Sequence, residues 1–158
     1  MHYPLKTGIG IVLLSFAFSN HAEQILPENI PQKVTRNILE RHPGAHDLHA
    51  ETETHFGKLL LEVAYKDENG KEIFELFTQK GHLFSDEYTI EDFRDFSAPV
   101  TATLKREFPG YKLKKAQLVT NPNGAGEEYD IYLTANGVDW KVLTTSDGTL
   151  KTKEQLTP

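Results

Sequence analysis

Two eleven-residue stretches, residues 34–44 (VTRNILERHPG) and 100–110 (VTATLKREFPG), repeat one pattern sixty-six positions apart (109 − 43 for the shared proline). Each has apolar residues at helical spacing: Ile30, Val34 and Ile38 with Leu39 in the first, and Val100, Leu104 and Phe108 in the second. Such spacing gives a helix one face to bury. Pro-Gly then ends it, because proline cannot continue the ladder and glycine accepts the left-handed cap. Asn29 and Ser97 are the expected N-caps.

After each Pro-Gly the period changes from four to two. Leu59, Leu61, Val63 and Tyr65 alternate with Leu60, Glu62 and Ala64, and residues 67–70 (DENG) supply a hairpin turn. A returning strand over residues 71–78 ends at Lys80-Gly81, and Leu83-Phe84 begins a further strand. The second half follows suit, with Gln117 to Val119, Tyr129, Ile131 and Leu133, the turn at Asn136-Gly137, Trp140 and Val142, then Asp147-Gly148 and Leu150. The expected class is α+β: two tandem repeats of a helix plus antiparallel strands, with the helices packed on one face of an antiparallel sheet. The repeats are assigned to residues 23–88 and 89–158. The join, residues 88–96 (YTIEDFRDF), is neither Gly-rich nor Ser-rich and reads as a packed junction rather than a loose linker.

Residues 1–22 stand apart. Lys6, the apolar run IGIVLLSFAF and the small residues Ala17, Ser19 and Ala22 form a secretory leader pattern, with cleavage after Ala22 favoured. The run is too short for a stable bilayer span. The expected location is periplasmic or secreted. Losing Lys6 moves the net charge from −6 to −7, which argues against a nucleic-acid partner. The absence of cysteine removes disulfides, Cys-ligated zinc and thiol nucleophiles together.

The motifs Phe108-Pro109-Gly110, residues 127–133, Asn136-Gly137 and Asp147-Gly148-Thr149-Leu150, with His42-Pro43-Gly44, residues 61–65, Asn69-Gly70 and Lys80-Gly81-His82-Leu83, resemble the PepSY-like domain of exported bacterial proteins. Two copies in tandem look like the beta-lactamase-inhibitor-protein fold, in which helices back an antiparallel sheet whose other face is free to bind. The resemblance implies a non-enzymatic envelope module that binds a protein or peptide, inhibiting or sensing a peptidase. The first copy departs from it with His42 and Lys80, where an aromatic and an acidic residue are usual.

The residues themselves show no catalytic constellation, so no catalytic residue, metal ligand or cofactor is assigned. His42, His46 and His49 have metal-like spacing, but Pro43-Gly44 breaks any helix carrying them, and His46 and His49 would point apart on a strand. Ser85, Ser97 and Ser146 lack a nucleophile motif. The carboxylate pairs Asp67-Glu68, Glu91-Asp92 and Glu127-Glu128 sit at turns, a join and a strand edge. The alternatives kept open are a small metal- or acid/base-dependent hydrolase and a carrier of an apolar small ligand.

One further signal lies in the strands, where both faces carry apolar residues. If Leu61, Val63, Ile131, Trp140 and Val142 meet the helices, Ala64, Phe74, Leu76, Tyr132 and Leu143 face away. A solvated face should be mostly polar. Phe74, Leu76, Tyr132, Lys141 and Leu143 are therefore the expected binding residues, with cover by a second copy in a homodimer as the competing explanation.

Overall fold

The structure is a computed structural model that describes residues 24–124 and 126–156. The leader expected over residues 1–22 lies outside the described residues. The chain runs through β1 (Gln24–Ile25), α1 (Gln32–Arg41), β2 (His46–His55), β3 (Lys58–Lys66), β4 (Glu72–Thr78) and β5 (Leu83–Thr89). It continues through α2 (Ala98–Glu107), β6 (Lys112–Thr120), β7 (Glu127–Ala135), β8 (Val138–Thr145) and β9 (Leu150–Leu156). Short 3-10 turns at Pro27–Asn29 and Phe93–Asp95 precede the two helices.

The expected architecture of two tandem helix-plus-strand repeats is not the one found. All nine strands form a single antiparallel sheet in sequence order, curled into a half-barrel and accompanied by only two helices. The seam is β5 against β6, with Glu87 opposite Val119, Tyr88 opposite Leu118 and Thr89 opposite Gln117. Two separate sheets would each end on an unpaired edge, whereas this pairing satisfies both edges through the backbone. Ladder irregularities at His46/His49, Leu76/Phe77, Leu113/Lys115 and Leu143/Thr144 add local twist to a sheet that already coils.

Both helices cover the convex face. Val34 and Ile38 of α1 pack on Leu61, Val63, Tyr65 and Phe77, all buried. Val100 and Leu104, with Phe108 just after α2, pack on Ile131, Leu133 and Val142, and the Phe108 and Trp140 ring centroids lie 5.5 Å apart. Ser97 caps α2 by accepting from the Val100 N–H at 3.4 Å, and its hydroxyl donates to the Ser146 carbonyl at 2.7 Å. Asn29 does not cap α1. It ends the preceding 3-10 turn, and Pro31 occupies the cap position without a side-chain bond. At the other end of α1, Arg41 holds the buried Glu75 carboxylate through both terminal nitrogens, at 2.7 and 2.5 Å, and the Tyr65 hydroxyl donates to the same carboxylate at 3.0 Å.

Candidate functional site

The concave face opposite the helices holds the densest chemistry in the described chain. Strand alternation sends Glu51, Glu53 and His55 of β2 to this side, with Leu60 and Glu62 of β3, Phe74 and Leu76 of β4, and Glu87 of β5. From the far half come Gln117 and Val119 of β6, Glu128, Asp130 and Tyr132 of β7, and Lys141 and Leu143 of β8. On a flat sheet β2 and β7 would be far apart. The curl brings them into contact through side chains, so the face becomes an interior.

The β2–β3 turn makes the clearest contact. Phe56 and Gly57 have φ of 50° and 70°, the pair of left-handed residues that a tight hairpin turn with this twist requires. An aromatic residue rarely adopts that conformation. Here its ring packs with buried Leu60, Leu76, Phe84 and Val119, and its N–H donates to Glu128 Oε2 at 3.0 Å. An apolar plug thus closes one end of the concavity.

Above the plug, His55 is surrounded by carboxylates. Its Nδ1 lies 3.2 Å from Glu128 Oε2, and its Nε2 lies 3.2 Å from Glu53 Oε2, 3.4 Å from Asp130 Oδ2 and 4.0 Å from Glu87 Oε1. Lys141 pairs with Glu53 Oε1 and stands 3.9 Å from Asp130 Oδ2, while Gln117 donates to Glu87 Oε2 at 2.6 Å. The imidazole is 1% exposed and Glu53, Glu87, Glu128 and Asp130 are between 2 and 7%, so bulk water screens none of them well.

Burial penalises charge here, and the partners decide which groups keep it. Burial works against the His55 imidazolium, but the adjacent carboxylates of Asp130, Glu128 and Glu53 outweigh it and push the group up to about 12. Burial likewise opposes the Glu53 carboxylate, and His55 and Lys141 overcome it, holding Glu53 well below the usual range. For Glu62 the attraction of Lys141 is too weak to compensate: burial and the charges of Glu87 and Glu53 push it up to about 10. Burial, with Glu53 and Asp130, raises Glu87 to about 8. The centre is therefore an imidazolium and an ammonium held among charged and neutral carboxyls. Glu53, His55 and Asp130 also offer three atoms all within 4.8 Å of one another, which suits a metal ion.

The other end of the concavity is a mouth. Lys115 Nζ sits 4.0 Å from the Phe74 ring centroid and 5.5 Å from that of Tyr132, and Lys141 Nζ sits 5.4 Å from Tyr132. Cations over aromatic faces hold both partners in place. Of the expected binding residues, Phe74, Tyr132 and Lys141 thus come together at the mouth through Lys115. Leu76 lies in the plug at 0% exposure, and Leu143 is buried opposite Asp130. Tyr132, Lys115 and Lys141 remain half-buried.

The remaining candidates do not assemble. His42 lies against Tyr65 and Glu75 beneath α1, whereas His46 and His49 bond to the nearby Gly44 and Asp47 carbonyls. Asp67 accepts from the backbone of its own turn and Asp92 from that of Arg94, so these carboxylates shape turns. The roles of His55, Glu53, Glu62, Glu87 and Asp130 carry no motif or ligand spacing in the sequence. The available signal was polar alternation: Glu51, Glu53 and His55 recur every second residue on the face that also carries Phe74 and Leu76.

No family model matches this sequence, and none of the curated proteins matches it. Solved structures do share its fold. A DUF2874 family protein from Bacteroides uniformis aligns over 80% of this chain and 89% of its own, with a TM-score of 0.52 and 13% identity. A protein from Bacteroides eggerthii assigned to the periplasm aligns over 79% and 88%, with a TM-score of 0.52 and 15% identity. A BLIP-like protein from Bacteroides fragilis aligns over 85% and 90% at 13% identity with a TM-score of 0.49. At such identities the chain is similar to the first two proteins in fold alone.

Proposed function

We propose that this chain is a non-enzymatic, exported binding module that takes a protein or peptide segment of the cell envelope at the mouth of its concave face, formed by Lys115, Tyr132 and Lys141 over the buried Phe74. The carrying observation is the contrast along that face. The groups able to do acid-base chemistry, His55, Glu53 and Asp130, are at 1, 6 and 2% exposure, so a substrate bond has no route to them, while the mouth offers half-buried aromatic and cationic side chains. A catalytic acid or base must come within hydrogen-bond reach of the reacting group, and this one is sealed. Aromatic anchors beside lysines suit a segment that brings one apolar side chain and one carboxylate.

Support for the envelope comes from the leader pattern of residues 1–22 and from a fold shared with a protein assigned to the periplasm. Among the described residues no helix is long and apolar enough to cross a membrane. The PepSY-like motifs point to a peptidase as the partner, inhibited or sensed.

Binding of purified envelope peptidases to the immobilised mature chain tests the reading, with Lys115→Glu and Tyr132→Ser as comparison variants. Saturable binding that falls at least tenfold in both variants, with melting temperatures near that of the wild type, is expected. Peptide hydrolysis by the chain itself would overturn the reading.

A further inference from the structure

We propose that His55, Glu53 and Asp130, with Glu87 beside them, form a buried site for one first-row divalent cation, with Zn2+ as the best-suited probe. The inference rests on geometry and is independent of the partner-binding reading.

The imidazole Nε2 can carry one proton and so can satisfy one acceptor. Three carboxylate oxygens converge on it, at 3.2, 3.4 and 4.0 Å. Two of them, Asp130 Oδ2 and Glu87 Oε1, accept no hydrogen bond from the described residues, although the Asp130 and Glu87 side chains are only 3 and 0% exposed. Buried carboxylate oxygens ordinarily accept a hydrogen bond, and these two are left with charge attraction alone, which a divalent ion would replace with a bond. Around a tetrahedral ion with bonds of about 2.0 to 2.2 Å, neighbouring ligand atoms stand about 3.3 to 3.5 Å apart, close to the 3.2 and 3.4 Å that separate Nε2 from the Glu53 and Asp130 oxygens.

The outer groups also fit. Glu128 Oε2 lies 3.2 Å from Nδ1 and is itself fixed by the Phe56 N–H. A carboxylate on Nδ1 holds a ligating histidine in the tautomer that leaves Nε2 free for metal. Lys141 pairs with Glu53 Oε1, which leaves Oε2 as the ligating atom. One imidazole nitrogen with carboxylate oxygens, and no sulfur, favours Zn2+ or Mn2+ over copper(I) and, because of the imidazole, over Ca2+. On binding, the ion takes the place of the Nε2 proton, which leaves to solvent.

The experiment refolds the mature chain with a tenfold excess of Zn2+, removes free metal by gel filtration, and measures bound zinc and its X-ray absorption. The expected result is one zinc per chain with a single imidazole among oxygen ligands. That zinc is retained in a His46→Ala/His49→Ala variant and lost in Asp130→Asn, and Glu128→Gln binds about 10- to 100-fold more weakly. A chain that retains no zinc, zinc lost with His46 and His49, or a shell of several imidazoles would overturn the proposal. Should Asp130→Asn fail to fold, the ligand shell of the wild-type chain decides alone.

Discussion

His55 Nδ1 stands 3.2 Å from Glu128 Oε2, joining β2 to β7 across 73 positions of sequence. The same oxygen accepts from the Phe56 N–H at 3.0 Å, so one carboxylate pins the β2–β3 turn to the far half of the sheet. These bonds lie between side chains of non-adjacent strands and the turn that approaches them. The curl is therefore held by buried polar contacts in addition to backbone twist. Glu128→Ala leaves an imidazolium and an amide N–H without their acceptor in a dry site, and should cost about 3 to 5 kcal/mol. Chemical denaturation reads this directly. A loss below about 1 kcal/mol, the range of surface substitutions, would mean that the closure is held elsewhere.

Glu62 should behave in the opposite way. Burial and the charges of Glu87 and Glu53 push its carboxyl up to about 10, so the folded chain keeps it neutral at pH 7 while the unfolded chain ionises it. Glutamine has the shape of the neutral acid and never has to take up a proton on folding. Glu62→Gln should melt at the same temperature as the wild type or higher at pH 7, whereas Glu53→Gln should melt lower, because Glu53 is the charged partner of Lys141 and His55. Thermal melts of the pair at neutral pH give the comparison. A lower melting temperature for Glu62→Gln would show that this carboxyl is needed in its charged form.

The turn between β8 and β9 makes a sharper demand. Gly148 has a φ of +84°, and a Cβ placed on it would lie 2.6 Å from the Pro99 carbonyl oxygen at the start of α2. The Thr103 hydroxyl donates to the Gly148 carbonyl at 2.6 Å, which keeps the helix and the turn from separating. Gly148→Ala adds the strain of a left-handed non-glycine residue to a clash with backbone, together about 3 kcal/mol or more. Denaturant titration should show a lower midpoint with little change in slope. An unchanged midpoint would contradict the close approach of the turn to α2.

The local devices were legible in the sequence because each is written within a few residues. The Pro-Gly stops, the Ser97 cap, the Asn136-Gly137 turn and the alternation of Leu61, Val63 and Tyr65 all depend on near neighbours. The sheet's continuity was not legible, because the β5–β6 seam depends on which edges meet in space. The polar interior was hidden for a related reason. β2 reads HDLHAETETH, a composition that suits a solvated strand, and only the curl converts its Glu53 and His55 into buried groups. The one local hint that was read, apolar residues on both faces of the strands, pointed to Phe74, Leu76, Tyr132, Lys141 and Leu143 and not to the ionic cluster among them.

The central claim, that the mouth of the concave face is the partner surface, is tested most directly by site-specific photocrosslinking in cells. A benzophenone amino acid placed at Tyr132 should give a discrete adduct with an envelope protein. The same group at Arg36, exposed on α1 at the convex face, should give none. Adducts from Arg36 and none from Tyr132 would place the partner on the helices and contradict the account.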